Sequence, residues 1–392
     1  MTNHSKDFPL FTLHQNIKRI EVTKDDFNAN RFESYSDLRQ EMCLLVVHDV
    51  SPWVKERNGY NYPHIRRDVL LLKDGHSKNS VIYSYRSKES KPIFFYTYVS
   101  DVEKIVQNLT FVRNENSTYK TFCISLMNHN LVTLRNIHIH TPKSSLYADA
   151  AISVENCTNI KLDYLQIDGT YSNVNQYGYG VSLNNVWNIF ISNMFARASW
   201  GVFGNNNINV AYLQNCDINR FDIHCYGKNI EFENCRITGL YNQYSSIFGS
   251  IRHRNCIFDN ATPCLIEGSY NAYTPFDLIF ENCIFRLNKT KNSIVSLFAL
   301  SNLKNQRAEL SQKSLPNVFM KRCCIQCSLP LKEWYVFSAN KEIEDLDTIE
   351  YLSKIYIDHL NLSSDEVEFK PFNINLKTRK PLKLRFKRWN YK

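Results

Sequence analysis

The sequence predicts an all-β chain wound as a right-handed parallel β-helix, on three observations. One short pattern recurs in a single frame: NIHIHT from Asn136, NMFARA from Asn193, NCDINR from Asn215, NCRITG from Asn234, NCIFDN from Asn255 and NCIFRL from Asn282. A strand-like run precedes each copy, as in VTLR, NIFIS and NIEFE. From Asn193 onward the asparagines stand 22, 19, 21 and 27 residues apart, a period that fits one coil per repeat with loops of variable length at the turns.

Alternation along each run sorts the side chains, because neighbours on a strand point to opposite faces. Ile230 and Phe232 are expected inside, Glu231 and Glu233 outside. Cys216, Cys235, Cys256 and Cys283 occupy one position of successive repeats, so they should stack as reduced thiols in an interior column. The asparagine before each suits a turn, since Asn tolerates a left-handed backbone and its amide can bond the same amide one coil away. A second strand per coil runs through AAISVEN, YGVSLNN, WGVFGNN, FDIHCYG and SIFGS, with Ile152, Val181, Val202, Ile223 and Ile247 aligned as the inward residues. An antiparallel sandwich would not hold one register coil after coil.

The repeat occupies about residues 101–330, flanked by an irregular N-terminal cap segment, 1–100, that also supplies the first coils, and by a C-terminal cap segment, 331–392. Within the latter, Ala339 to Lys354 reads as a short helix. A basic tail, Lys377 to Lys392, holds eight Lys and Arg and no acid, against a net charge of +9 for the whole chain. The tail is expected to be dispensable for folding, as a solvated tail or a final strand. Nucleic acid is the weaker partner for it.

With 43% hydrophobic residues the chain can bury a sizeable core and is too apolar for disorder. No apolar run approaches the ~20 residues of a membrane span, and no signal peptide opens the sequence, so synthesis in the cytoplasm is expected. Cys323, Cys324 and Cys327 are not followed by a second ligand pair with zinc spacing, and neither a metal nor a cofactor is expected.

Chemistry is expected where the repeat departs from its pattern. In Arg220-Phe221-Asp222-Ile223-His224, inward Phe221 and Ile223 put a cation, a carboxylate and an imidazole on one outer strip. Ser182, Phe203 and Phe248 are placed in register with His224, the phenylalanines as walls for a sugar ring. Trp200, Tyr241 and Gln243 mark the extent of the groove. The alternative is that Asp222 merely pairs with its two neighbours on the surface. Asp168, Glu267 and the run Arg252, His253, Arg254 are weaker candidates, each read first as a turn or surface residue.

WGVFG from Trp200, NC from Asn215 and RFDIHCYG from Arg220 resemble a group of pectate-lyase-like parallel β-helix proteins of phage tails and bacterial surface polysaccharides; the resemblance covers roughly residues 60–260. It implies a polysaccharide partner held along the outer face, an association with the virion, and a homotrimer if the chain is tail-like. The calcium-binding aspartate cluster of many pectate lyases is missing. Two functions follow as expectations. One is a polysaccharide lyase or glycoside hydrolase, in which His224 takes a proton, Arg220 neutralises the enolate and Asp222 orients the imidazole, or in which Asp222 works with Asp168 or Glu267. The other is a non-catalytic glycan-binding or structural component.

Overall fold

The computed structural model describes residues 11–39, 42–57, 60–81, 85, 88–112, 122–141, 150–169, 179–197, 201–239, 242–259, 263–267, 276–287, 296–301, 313–327, 333–339, 349–351, 354–362, 368–372 and 383–391. Apart from one short helix, Lys24–Asn28, and a 3-10 turn, Ser36–Leu38, the described elements are strands. They form two compact units, Met1–Trp53 with His64–Ala211, and Val54–Pro63 with Tyr212–Lys392.

In the first unit each coil pairs in parallel with the next. Strand Phe11–His14 lies on Ile124–Met127, that on Ala150–Gly169, and that on Tyr179–Ser192; beside them Lys104–Val112 lies on Asn130–Thr141, which also lies on Ala150–Gly169. Register stacks like on like: Ile124, Ile152 and Val181 form one buried column, and Leu134, Leu162 and Ile191 another. Each such side chain contributes roughly 1.5–3 kcal/mol of burial, and the columns together form the core of the coils.

Asparagine makes the corners. The pairing of Ala150–Gly169 is continuous, yet the chain turns at Asn156 (φ 51) and Asn159 (φ 54), and Asn136, Asn193, Asn215, Asn234, Asn255 and Asn282 all take φ between 51 and 54. The amides then link coil to coil: Asn156 Nδ2 donates to Asn128 Oδ1 (3.0 Å), Asn185 to Asn156 (2.8 Å) and Asn207 to Asn185 (2.6 Å).

The N-terminal segment builds a separate five-stranded sheet from Lys18–Ile20, Pro92–Tyr98, Cys43–Arg57, Tyr60–Lys73 and His76–Ser77. Its Leu44, Val46, Val69 and Leu71 cluster with Trp187 of a coil. Three coil asparagines also donate to its backbone: Asn185 to Asp68 O (3.1 Å), Asn209 to Ser80 O (2.8 Å), and Asn207 to Arg67 O. These contacts run along the flank of successive coils, where the segment satisfies corner amides that a bare solenoid would leave to water.

The second unit carries three columns of parallel strands. One begins with Phe221–Glu233 and climbs through Ile247–Arg254, Phe276–Glu281, Asn317–Cys327 and Lys354–Leu362; a second climbs from Asn242–Tyr244 through Cys264–Glu267, Ser296–Ser301 and Glu333–Ala339; a third takes Arg236–Ile237, Ile257–Phe258 and Ile284–Leu287. Cys216, Cys235, Cys256 and Cys283 are buried and free, as the repeat requires, and Cys323 continues their column. Thiols reach backbone carbonyls one coil back, Cys283 to His253 O (3.4 Å) and Cys323 to Phe280 O (3.5 Å). Beside them the asparagines stack: Asn234 donates to Asn215 (3.3 Å), Asn255 to Asn234 (3.2 Å), Asn282 to Asn255 (3.0 Å), and Arg322 Nε to Asn282 Oδ1 (2.7 Å).

One expectation for the C-terminal segment changes, and another narrows to one of its two alternatives. The helix expected from Ala339 to Lys354 is not formed at its described residues: Ile349–Tyr351 is a strand paired with Lys313–Ser314, and Lys354 opens another strand; residues 340–348 lie outside the described residues. Of the two readings of the basic tail it is the final strand that forms, since Lys383–Tyr391 pairs in parallel with Lys354–Leu362. Its removal uncovers the ladder groups of that strand, so a chain ending at residue 376 is expected to melt at lower temperature and to self-associate. Unchanged melting and a monodisperse sedimentation profile would show the rung to be dispensable.

Candidate functional site

Strand Phe221–Glu233 places the expected trio, but not on an open strip. Phe221 and Ile223 are buried as alternation requires, and Arg220 and Asp222 are buried as well, at 1% and 0% exposure; only His224 is partly exposed. The carboxylate and guanidinium form a bidentate pair, Arg220 Nε to Asp222 Oδ1 at 2.8 Å and Arg220 Nη2 to Asp222 Oδ2. The next coil supports it. Gln243 N donates to Asp222 Oδ1 (3.1 Å), and Asn242 Oδ1 accepts from Phe221 N (2.8 Å). Burial pushes the Asp222 carboxyl up to about 6, while Arg220 and then the Gln243 N–H pull it down. Such a pair fixes the strand and its neighbour in one register, and neither partner lies open to a sugar.

The expected walls separate for a reason of register. Coil amides pair Asn184 with Asn206 (2.9 Å) and Asn185 with Asn207 (2.6 Å), so the alignment of Val181 with Val202 is one residue off. A one-residue slip exchanges the two faces, and Phe203 accordingly lies fully buried in the core. Phe248 pairs with Lys228, not with His224, because Tyr244 is the partner of Ile223 and Ile247 that of Gly227. Ser182 is partly exposed and accepts from Asn184 Nδ2 (3.0 Å), and Gln243 is buried beside Asp222. Trp200 and Tyr241 lie outside the described residues, as does the Glu267 side chain.

His253 belongs to the core. Its ring stacks between Phe232 (4.4 Å, 15°) and Phe280 (5.1 Å, 9°) and its Nε2 lies 3.1 Å from Tyr244 Oη; burial holds it well below the usual imidazole range, at about 3. Arg252 and Arg254 point outward, Arg254 between Glu231 (3.2 Å), Glu233 (3.6 Å) and Glu281 (3.4 Å), which is the surface role expected of them.

The polar and aromatic groups that do converge on solvent lie in the first unit. On Asn130–Thr141, Ile139 points inward, so His138 and His140 share the outer face; on the next coil Ile167 points inward and Gln166 and Asp168 stand opposite them. His138 Nε2 lies 2.8 Å from Asp168 Oδ2, which also accepts from Gln166 Nε2 (2.8 Å). One coil further, Phe195 stands opposite Gln166, 44% exposed, with the Arg197 guanidinium 5.3 Å from its ring centre. Tyr164, two residues before Gln166, is 60% exposed and takes the corner opposite Asn136 with φ 53. A left-handed tyrosine costs about 1 kcal/mol or more that an asparagine avoids. Of this face only Asp168 is legible in the sequence, as a lesser candidate; the rest depends on which coil lies on which.

No known protein-family profile matches the chain, and no curated protein matches it. Its fold, all-β with strands paired in parallel, is similar to that of a solved phage tailspike. The tailspike of Acinetobacter baumannii bacteriophage AP22, solved in complex with an A. baumannii capsular saccharide, superposes with a TM-score of 0.58 at 10% identity, covering 98% of this chain and 66% of that one. The tailspike of Pseudomonas phage LKA1 matches with a TM-score of 0.48 at 10% identity, over 90% of this chain and 57% of that one. The chain thus spans less than two thirds of either spike. Among the described residues no helix is long and apolar enough to cross a membrane.

Proposed function

We propose that this chain is a right-handed β-helical module of a virion-associated spike, and that it binds a bacterial capsular or other surface polysaccharide along the outer wall of its coils. The handedness follows from the strong preference of parallel crossovers. What carries the binding reading is the exposed row Tyr164, Gln166, Phe195 and Arg197: two aromatic faces beside amide and guanidinium donors, in which one aromatic occupies a backbone conformation that disfavours it. Aromatic faces cover the apolar side of a pyranose while the donors take its hydroxyl or carboxylate oxygens. The related fold of a spike solved with a capsular saccharide supports the same ligand class.

The test is a panel of capsular polysaccharides. Tyr164→Asn is expected to weaken binding about tenfold or more while leaving folding unchanged or stabilised by about 1 kcal/mol, because Asn suits the corner; Phe195→Ala should weaken binding alone. Equal affinity in both variants would refute the site. Cleavage, by a lyase or a hydrolase, is the finer reading. Under it His224 touches the sugar, with Asp222 and Arg220 positioning its strand from inside, since His224 alone of the three reaches the surface. New reducing ends with ultraviolet absorbance from unsaturated uronates mean a lyase, reducing ends alone a hydrolase, and neither a binding module.

A further inference from the structure

From the arrangement of His138, His140 and Asp168 we infer a site for one first-row divalent transition-metal ion on the outer wall of the first unit. On a β-strand, residues two apart stand about 6.6 Å apart on one face, and a neighbouring parallel strand lies about 4.8 Å away. A His-x-His tripeptide facing a carboxylate on the adjoining coil therefore aims three donors at one point. That is the register here, with Asp168 opposite His140 and Gln166 opposite His138. One donor atom from each of the three residues lies within 4.8 Å of the others, and the two imidazole centres are 6.4 Å apart. Ligands held about 2.0–2.1 Å from a tetrahedral ion lie about 3.3 Å from one another. Small side-chain rotations on a fixed backbone close the difference, and Ile139 and Ile167, both buried, hold that backbone in place.

Donor chemistry selects the ion. Two imidazoles and one carboxylate suit zinc, cobalt, nickel or copper, whereas calcium and magnesium take oxygen ligands. The ion would sit between groups that already approach each other, His138 Nε2 and Asp168 Oδ2 at 2.8 Å. Gln166, whose amide donates to Asp168, orients the carboxylate as an outer hydrogen-bond partner does at metal centres. Three protein ligands leave at least one coordination position to solvent, on the wall that carries Phe195 and Arg197. The inference stands without the glycan reading, because the probe is the ion alone.

The experiment is a titration of the full chain with Co²⁺, followed by visible absorption, and with Zn²⁺, followed by the melting temperature. One equivalent of Co²⁺ is expected to give the bands of a four- or five-coordinate ion, and Zn²⁺ to raise the melting temperature as any ligand of the folded state does. His140→Ala and Asp168→Asn should each weaken binding by more than about tenfold without changing the melting temperature of the ion-free protein. His76→Ala, at an exposed histidine paired with Glu33 (3.2 Å), should bind as the unaltered chain does. Absence of the bands, or binding retained in both the His140 and the Asp168 variants, would overturn the assignment.

Discussion

Replacing Arg220 with methionine is expected to destabilise the folded chain by about 3–5 kcal/mol at neutral pH, because it strands the carboxylate of Asp222 in a site with no exposure. Arg220→Met with Asp222→Leu should restore most of that loss, since two apolar side chains of similar volume remove both desolvation costs. Urea unfolding of the single and double variants decides it. A single variant within about 1 kcal/mol of the unaltered protein would mean that water reaches the pair. The same measurement bears on function: if Arg220 and Asp222 act by holding their strand, glycan affinity in the double variant survives wherever folding does.

The second large effect is acid sensitivity. His253 is held at about 3, chiefly by burial, and His48 and His129 at about 4, by burial and then by nearby cations; unfolded, all three titrate near 6.5. Between those values the unfolded chain binds more protons, so the stability these groups contribute is full above about pH 6.5 and is lost as pH falls toward 3–4. Asp222 works in the opposite sense. Its carboxyl is raised to about 6 from 3.8, so the folded state binds the extra proton, and its contribution is full below pH 3.8 and lost as pH rises through 6. Three groups against one leave the unfolded chain binding a net two protons more, so stability falls most steeply with acid between about pH 6 and 4. His253→Phe keeps a ring between Phe232 and Phe280 and should flatten that slope by the equivalent of about one proton. Urea midpoints taken from pH 7 to pH 4 measure it. An unchanged slope, or a His253 ring resonance that titrates above pH 5 in the folded protein, would show that the imidazole is not sealed in the stack.

The sequence shows the coils because their corners are chemically monotonous. Asn215, Asn234, Asn255 and Asn282 recur since few other residues accept φ near 54, and the cysteine after each recurs because the interior there admits a small apolar side chain. Side-chain direction is harder to read, because it depends on register. The run Asn205, Asn206, Asn207 offers several alignments with Asn184 and Asn185, and a difference of one residue between them exchanges core and surface at Phe203. Between Tyr244 and Ile247 the chain rounds a corner at Ser246 (φ 52), a serine where asparagine would announce the turn, and Phe248 therefore pairs four residues beyond His224. Burial of Arg220 and Asp222 left no local trace, since alternation gives polar residues to the outside by default. Asp168 lies 30 residues beyond His138 in sequence, and only the pairing of two coils makes it a neighbour of the two histidines.

The amide stack of the second unit has a direction. Each asparagine gives its N–H to the oxygen of the coil before it, from Asn282 to Asn255 to Asn234 to Asn215, so the side-chain dipoles point the same way and polarise one another. At the oxygen end stands not another amide but the guanidinium of Arg322, which takes the same left-handed corner (φ 53) and donates to Asn282. A positive charge at the negative end of aligned dipoles is how a helix C-terminus is stabilised. The column therefore behaves as a helix macrodipole made of side chains, with a start and a stop written into it. Coils continue above Asn282, but the amide stack cannot be lengthened past it without displacing its cationic terminator.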